Sequence, residues 1–362
     1  MSRVPTGSRL EAWLAAAAQQ NASDLHVRAG LPPMIRISGD LKAAEAAPVD
    51  AAALETLCLA VVPEHKRPEL AEKGSVDFAL NHAGDRYRVS VFRQRGTYAL
   101  VMRRIPQNRM SFDQIGAPPI LRQLAYLPRG MILVTGPTGC GKTTTLAALL
   151  HEVNSTRSVH IITIEDPIEF LHDSIQAVVT QREVGEDVAG FGEAVRRSLR
   201  QDPDVILLGE MRDLETTSAA ITAAETGHLV FATLHTTGAA RTVDRIIDQY
   251  PPHQQEQVRA QLSVSLQAVI SQVLMPRADH KGRVAGFEVM IRNSAIENHI
   301  RKNETFKIPS VMQTQRRIGM QLLDDHLLEL VQGGVISKDT AIAFCQSPMD
   351  LRQRLGIAGA VA

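Results

Sequence analysis

The stretch that decides the fold is MILVTGPTGCGKT, residues 131–143, in which an apolar run leads into a glycine-rich loop. Its second part, Gly136–Thr143, matches the pattern G-x-x-x-x-G-K-[ST] without interruption. Glycines let successive backbone N–H groups turn inward around phosphate oxygens. Lys142 adds a positive charge beside the β- and γ-phosphates, and the Thr143 hydroxyl is a ligand for Mg²⁺. The stretch therefore predicts a binding site for ATP or a similar nucleoside triphosphate, with Mg²⁺.

The strand before this loop and the helix after it are the context that a phosphate-binding loop requires, because the helix N-terminus adds its dipole to the site. The residues that we assign to nucleotide binding here are Gly136, Pro137, Thr138, Gly139, Cys140, Gly141, Lys142, Thr143 and Thr144.

Outward from the loop, short apolar runs alternate with amphipathic stretches, which predicts a mainly parallel sheet covered by helices on both faces. The predicted strands are Met131–Val134, Val159–Ile164, Val205–Leu208 and Leu229–Thr233. The predicted helices are Thr143–Glu152, Phe191–Arg200, Leu214–Thr226 and Ala239–Tyr250. From His253 to about Leu355, hydrophobic periodicity predicts mostly helix.

The first hundred residues have a different pattern, typical of a small mixed α+β domain with antiparallel strands. A helix is predicted at Ser8–Gln20, with Ser8 as its cap, and a second near Ala51–Val62. Predicted strands are Leu25–Val27, Met34–Ile37, Val76–Leu80, Arg86–Phe92 and Tyr98–Arg104. We therefore predict an N-terminal domain at 1–105, a proline-containing linker at 106–119 and an α/β domain at 120–362.

Composition excludes several classes of protein. The chain has 362 residues with 39 basic and 39 acidic side chains, so no net positive charge favours nucleic acid. Its three cysteines, Cys58, Cys140 and Cys345, form no C-x-x-C pair, which argues against a disulfide scaffold or structural zinc. No apolar run is long enough to cross a bilayer. We expect a cytoplasmic protein.

Two acidic positions follow predicted strands. Glu165 and Asp166 end one strand and point to opposite sides if the strand continues, so only one of them is expected to reach the phosphates. The alternative is a surface turn fixed by Pro167. Glu210 ends another strand where many such proteins have Asp-Glu, but Gly209 replaces the Asp. Glu210 either polarises the attacking water or caps the following helix.

Two histidines, His228 and His235, lie at the ends of the strand predicted at Leu229–Thr233. Their spacing does not suit a metal site on a helix, and no cysteine is near them in sequence. His235 is at the carboxyl end of the strand, where it can sense the γ-phosphate by hydrogen bonding. The alternative is a hydrogen-bonded histidine near the core.

These motifs together resemble the secretion-ATPase superfamily, and in detail its type IV pilus retraction ATPases. The resemblance is carried by Ile162–Phe170, Gly209–Thr216, Thr222–Thr236, Ser23–Asp40 and Ile318–Leu327, and it covers nearly the whole chain. It implies a homo-hexameric ring of subunits, each with a PAS-like N-terminal domain and a RecA-like P-loop ATPase core. It also implies pilus retraction, at the cytoplasmic side of the inner membrane, with a membrane platform protein, the pilus machinery and paralogous ATPases as partners.

The resemblance also assigns residues. Glu165 matches the acid of the family's aspartate box and is a candidate Mg²⁺ ligand beside Thr143. Glu210 matches the catalytic glutamate, and His228 and His235 match the histidine box. On this basis Glu165 and His235 are assigned to catalysis with Glu210 and Arg103, and His228 is assigned to nucleotide binding. Arg103 is the first candidate among several arginines to neutralise phosphate within or between subunits. The alternative for Arg103 is a solvated charge on an exposed strand.

The chain departs from the family in two places. The C-terminal signature A-I-R-N-L-I-R-E of retraction ATPases reads AIENHIRK at Ala295–Lys302, with two charge signs inverted. Cys140 stands where serine is common, which predicts modest sensitivity to thiol alkylation. Three other functions stay open: a pilus extension or type II secretion ATPase, a nucleotide-dependent accessory paralogue, and a nucleic-acid motor. The missing C-x-x-C element argues against the first, and intact Lys142 and Glu210 argue against the second.

Overall fold

The computed structural model describes residue 4 and residues 7–37, 39–105 and 110–357. Within these ranges the chain divides into two compact units. Unit 1 comprises Met1–Asn108 with Pro167–Phe170, and unit 2 comprises Arg109–Asp166 with Leu171–Ala362. Pro106 to Arg109, the first part of the predicted linker, lies outside the described residues. The predicted domain boundaries therefore remain a prediction.

Unit 1 contains an antiparallel sheet with helices packed on it, as its sequence pattern predicts. Its helices are α1 Arg9–Gln19, α2 Ala51–Val61 and α3 Arg67–Lys73, with a 3₁₀ turn at Glu64–Lys66. Its strands are β1 Asp24–Arg28, β2 Met34–Ile37, β3 Asp40–Ala43, β4 Ser75–His82, β5 Asp85–Gln94 and β6 Thr97–Ile105. Their order in the sheet is β3-β2-β1-β6-β5-β4, with antiparallel neighbours throughout the described part.

The first helix illustrates how sequence sets these elements. Leu10, Trp13, Leu14 and Ala17 recur at helical spacing, and all four are buried. The Ser8 side chain accepts a hydrogen bond from the backbone N–H of Glu11, which satisfies one of the free donors of the first turn. The predicted helix and its cap are confirmed.

Unit 2 contains a mixed sheet in the order β13-β12-β7-β11-β10-β8-β9. Its strands are β7 Gly130–Thr135, β8 His160–Glu165, β9 Val178–Glu183, β10 Val205–Leu208, β11 Leu229–Leu234, β12 Leu266–Pro276 and β13 Arg283–Ile291. Its helices are α4 Ile120–Leu124, α5 Lys142–Thr156, α6 Phe191–Ser198, α7 Leu214–Glu225, α8 Ala239–Ile247, α9 Pro252–Ser265, α10 Ser294–Arg301, α11 Ile308–Thr314, α12 Leu323–Gln332, α13 Lys338–Phe344 and α14 Pro348–Arg354, with 3₁₀ turns at Thr305–Lys307 and Arg316–Ile318. All described pairs are parallel except β12 with β13.

Both faces of this sheet are covered, which confirms the prediction. Met131 and Leu133 of β7 pack with residues of α6 to α9, whereas Ile132 and Val134 pack with residues of α4 and α5. Successive side chains of a strand point to opposite faces, so a strand buried on both sides is apolar at every position. The sequence of β7 has that composition.

The prediction that the chain is mostly helical after His253 is wrong in one respect, because β12 and β13 form a long antiparallel hairpin there. Most of β12 is buried, so its sequence LQAVISQVLMP is mostly apolar and does not alternate. Periodicity cannot distinguish such a run from a buried helix. The strand β9 was also missed, since its half-exposed sequence VVTQRE has no clear alternation.

No helix in the described part of the chain is both long and apolar enough to cross a membrane.

Candidate functional site

The glycine-rich loop lies between β7 and α5, so the predicted strand–loop–helix arrangement is confirmed. Gly136 has a φ of 141°, and a Cβ at this position would lie 2.3 Å from the backbone oxygen of Gln272. Gly141 has a φ of 92° and precedes the first residue of α5. Both positions require glycine, one for space and both for backbone conformation.

Lys142 lies over the loop with 9% of its surface exposed. Its Nζ donates hydrogen bonds to the carbonyl oxygens of Gly136, at 2.9 Å, and Pro137, at 3.2 Å. The ammonium group is thus held on the inner side of the turn, beside the N-terminus of α5. A helix N-terminus and a fixed ammonium group together favour an anion at this point.

The Cys140 thiol is buried, and burial raises its pKa above the ordinary value, although Lys142 acts in the opposite direction. The thiolate is the species that reacts with alkylating reagents. We therefore expect slow alkylation of Cys140, in place of the modest sensitivity that sequence alone predicts.

The acidic residues lie at the carboxyl ends of the neighbouring strands. Glu165 ends β8 and is buried; its Oε1 accepts hydrogen bonds from Thr163, at 2.7 Å, and from Gln181, at 3.1 Å. Asp166 is exposed. The two side chains therefore have different environments, as the strand geometry predicts. The part that Glu165 plays in binding Mg²⁺ remains a prediction.

Gly209 follows β10 at a point of close backbone approach. Its N–H donates to the carbonyl oxygen of Ile164 at 2.8 Å, and a Cβ would lie 3.3 Å from the Cα of Glu165. Contacts that short are tighter than a side chain ordinarily makes. This crowding gives a physical reason for glycine at position 209.

Glu210 is the acid that the fold brings to the loop. Its Oε1 lies 3.1 Å from Nε2 of His235, and its Oε2 lies 2.8 Å from Nη2 of Arg212. On the other side of the imidazole ring, Nδ1 of His235 makes a long contact of 3.5 Å with the hydroxyl of Thr138 in the loop. Glu210, His235 and the phosphate-binding loop are therefore linked.

Burial by itself would raise the pKa of Glu210, but Arg212 and His235 outweigh burial and hold the pKa below its ordinary value. The alternative in which Glu210 caps the next helix is wrong. Asp213 is the N-cap of α7, and its Oδ1 accepts a hydrogen bond from the backbone N–H of Thr216 at 2.7 Å.

The structure does not bring His228 to the loop. His228 precedes β11, and its Nδ1 lies 2.9 Å from the carbonyl oxygen of Ala223. Because β11 runs parallel to β7, the amino end of β11 is opposite Gly130, a full strand length from the loop. At about 3.3 Å per residue that distance is roughly 20 Å. We therefore withdraw His228 from the nucleotide site of its own chain.

Arg103 belongs to unit 1, where its Nε donates to Oδ1 of Asp24 at 2.8 Å and its side chain is 70% exposed. Burial would raise the pKa of Asp24, but Arg103 and Ser23 hold the pKa below the ordinary value. This ion pair is compatible with both alternatives for Arg103, a solvated charge on an exposed strand and a group that binds phosphate. The phosphate-binding role remains a prediction.

The altered segment at Ala295–Lys302 forms α10 and the residue after it. Two of its three substituted residues have partners nearby: Glu297 pairs with Arg292 at 2.7 Å, and Nδ1 of His299 lies 3.2 Å from Oε2 of Glu304. The inverted charge of Glu297 is therefore matched by a charge within unit 2.

Oxygen donors suit Mg²⁺, which keeps several waters and binds through phosphates and one or two protein groups. The hydroxyl of Thr143, in the first turn of α5, meets that requirement. Groups of three or more histidine, cysteine or acidic residues able to hold a metal are absent from the described ranges. A divalent ion shared with phosphates therefore fits these residues better than a metal held by protein alone.

Sequence reasoning missed two residues of this site. Arg212 lies in the quoted stretch Gly209–Thr216 but received no role, although it pairs with Glu210. Gln272 lies outside every motif, yet it is 1% exposed and contacts the loop. The only signal for Gln272 was a polar pair, Ser271-Gln272, within an apolar run.

The chain is similar to known proteins over most of its length. The profile of the family described as Type II/IV secretion system protein matches residues 3–343. The chain is 47% identical over 329 residues to the type IV pilus retraction ATPase PilT of Pseudomonas aeruginosa, covering 91% of this chain and 95% of that protein. It is 47% identical over 310 residues to a twitching motility protein of Neisseria gonorrhoeae, covering 85% and 83%. A crystal structure of the pilus retraction motor PilT with bound ADP superposes with a TM-score of 0.90 at 43% identity, covering 96% and 99%.

Proposed function

Because this chain belongs to the type II/IV secretion system protein family, we propose that it is a P-loop ATPase that powers retraction of type IV pili and hence twitching motility. The support for retraction is the near full-length similarity to PilT, together with the similarity to a protein named for twitching motility. The α/β fold with a RecA-like core is shared with the solved PilT structure.

The observation that carries ATP hydrolysis is the link between Glu210 and the loop through His235. In the mechanism that we propose, the loop N–H groups and Lys142 hold the phosphates. Glu210, kept ionised by Arg212, accepts a proton from the attacking water or orients it. His235 lies between Glu210 and Thr138, so it is placed to respond to a change at the γ-phosphate.

Mg²⁺, held by Thr143 with Glu165 as a second candidate, would neutralise charge on the phosphates. The chain's own residues bind and orient: Lys142 fixes the phosphate tail, and Glu210 and His235 define where the water lies.

The assembly and location that we propose also follow the family. We propose a homo-hexamer at the cytoplasmic side of the inner membrane, acting on the pilus machinery through a membrane platform protein, beside paralogous pilus ATPases. Arg103 is then the candidate to contact nucleotide bound by a neighbouring subunit.

Steady-state phosphate release from the purified chain tests the enzyme. We expect turnover that depends on ATP and Mg²⁺. A chain that binds nucleotide without turnover would instead be the accessory paralogue, and turnover stimulated by DNA would favour the nucleic-acid motor.

Deletion of the gene in its own host tests the direction of movement. We expect excess surface pili together with lost twitching, because fibres that are extended are no longer withdrawn. Loss of pili from the surface would contradict retraction and favour an extension ATPase.

A further inference from the structure

Gln272 lies on β12 beside the point where the phosphate-binding loop leaves β7. The register pairs Ser271 with Thr135, the last residue of β7, so Gln272 is level with the first residue of the loop. Only 1% of its surface is exposed. A buried polar side chain at this position needs hydrogen-bond partners, because an unpaired amide in the core is costly.

The side chain of Gln272 has one hydrogen-bond partner in the loop and one in the helix that follows the loop. Its Nε2 donates to the carbonyl oxygen of Cys140, within the loop, at 2.6 Å. Its Oε1 accepts from the hydroxyl of Thr145, in the first turn of α5, at 2.9 Å. The amide therefore connects the loop and the helix that follows it.

The backbone of Gln272 also limits the loop. Its carbonyl oxygen occupies the space that a Cβ on Gly136 would need, and its Nε2 lies 3.1 Å from the position of a Cβ on Gly141. Gln272 therefore limits the space for a side chain at both Gly136 and Gly141.

The glutamine amide supplies a donor and an acceptor on two separate atoms, and asparagine is one methylene shorter than glutamine. Glutamate retains the acceptor for Thr145 but cannot donate to the Cys140 carbonyl when ionised. Methionine resembles glutamine in shape and supplies neither bond.

We propose that Gln272 is a positioning residue that holds the phosphate-binding loop in the conformation that binds nucleotide. The inference rests on the proposed ATPase function. Gln272 acts through the orientation of the loop carbonyls and, with them, of the N–H groups that face phosphate, and not by contact with the reacting atoms. Nucleotide affinity thereby depends on β12, which lies outside the motifs quoted in the sequence analysis.

The test compares wild type, Gln272→Met, Gln272→Glu and Thr145→Val by titration with a fluorescent ADP analogue and by steady-state ATP turnover. Gln272→Met loses both bonds and leaves the Cys140 carbonyl unpaired, so we expect Kd to rise about tenfold or more. Gln272→Glu is expected to lose at least as much. Thr145→Val keeps the hydrogen bond from Gln272 to Cys140, so a smaller rise in Kd of about threefold is expected.

In each folded variant kcat at saturating ATP should change less than KM, because Glu210 and His235 are intact.

The matched control is Gln321→Leu. Gln321 also donates through Nε2 to a backbone carbonyl, that of Phe287 on β13, at 3.0 Å, but it does not contact the loop. We expect this variant to lower the melting temperature and to leave Kd unchanged. The combination of Gln272→Met with Thr145→Val should be no worse than Gln272→Met alone, since the two side chains share one bond.

The wild-type measurement distinguishes failure of the proposed ATPase function from failure of the inference about Gln272. A wild-type chain that neither binds nor hydrolyses ATP contradicts the proposed function, and the inference with it. A wild-type chain that binds nucleotide, with folded Gln272→Met of equal affinity, overturns the inference alone. If Gln272→Met does not fold, Thr145→Val decides: an unchanged Kd in that near-isosteric variant overturns the inference.

Discussion

Oε1 of Glu210 lies 3.1 Å from Nε2 of His235, so the acid that follows β10 is joined to the histidine that follows β11. These strands are neighbours in a parallel sheet, and their carboxyl ends therefore meet at the same edge. The same edge carries the loop that follows β7. The order of the strands therefore brings the Glu210 carboxylate, the His235 imidazole and the glycine-rich loop to one edge of the sheet.

Glu210→Gln should leave ATP binding near that of wild type and lower kcat by about 10² to 10⁴-fold, because the amide keeps the shape but cannot accept the proton. Kd by titration and kcat by phosphate release separate the two effects. Glu256→Gln, at an exposed position on α9, is the matched control and should hydrolyse ATP normally. A Kd that rises as much as kcat falls would argue against the role assigned to Glu210.

Arg212→Gln should shift the acid limb of the kcat profile to higher pH. In the wild type, Arg212 and His235 hold the pKa of Glu210 below its ordinary value of 4.5 despite burial, so the carboxylate stays ionised as pH falls. Removing the Arg212 charge raises the pKa of Glu210, and the base is protonated earlier on acidification. The check is kcat measured against pH for both proteins. Superimposed acid limbs would mean that Glu210 is not the titrating base.

The features that sequence predicted well are those with a local physical cause. The loop requires glycine at Gly136 and Gly141, and strands buried on both faces require apolar residues, so β7, β10 and β11 were found. The hairpin of β12 and β13 was not found, since an apolar run does not specify strand or helix. The role of Arg212 was not found either, because an ion pair with Glu210 depends on how a turn directs two side chains.

Position along a strand explains the one assignment that failed. His228 and His235 occupy the two ends of β11, and a sequence motif that includes both does not say which end meets the loop. The parallel pairing with β7 decides in favour of His235. Likewise Gln272 reaches Cys140 across 132 positions of sequence, a contact that no local pattern predicts.

Lys142→Ala should weaken nucleotide binding by about 100-fold or more, because hydrogen bonds from a charged group to phosphate are lost. The ammonium group is already oriented by the carbonyls of Gly136 and Pro137, so little ordering is needed on binding. Titration with a fluorescent ADP analogue gives Kd. Lys281→Ala, at an exposed position before β13, should bind like wild type. Equal affinities for Lys142→Ala and wild type would remove the loop from the proposed mechanism.

Arg103→Gln tests action between subunits. We expect normal nucleotide affinity with kcat lowered about tenfold or more, because a charge that stabilises the transition state is lost. Arg88→Gln, directly across from Arg103 on β5 and exposed, is the matched control.

A mixing experiment separates this role from the ion pair with Asp24. Arg103→Gln subunits retain an intact loop, and Lys142→Ala subunits retain Arg103. Mixed oligomers should recover turnover if Arg103 acts on the nucleotide of a neighbour. Turnover no higher than the sum of the two separate variants would leave Arg103 with the structural ion pair only.

His326 should make the stability of unit 2 depend on pH. Its Nδ1 accepts a hydrogen bond from the backbone N–H of Phe287 at 2.9 Å, and burial lowers its pKa below the ordinary value of 6.5. Below pH 6.5 the unfolded chain therefore binds a proton that the folded chain does not, and the free energy of unfolding falls as pH decreases toward the folded-state pKa. The slope from one such group is at most about 1.4 kcal/mol per pH unit.

Melting temperatures between about pH 7.5 and about pH 5.5 should fall less in His326→Gln, whose amide oxygen still accepts from Phe287 but does not titrate. His253→Gln, at an exposed position on α9, should follow wild type, and an unchanged pH dependence in His326→Gln would show that this imidazole does not carry the effect.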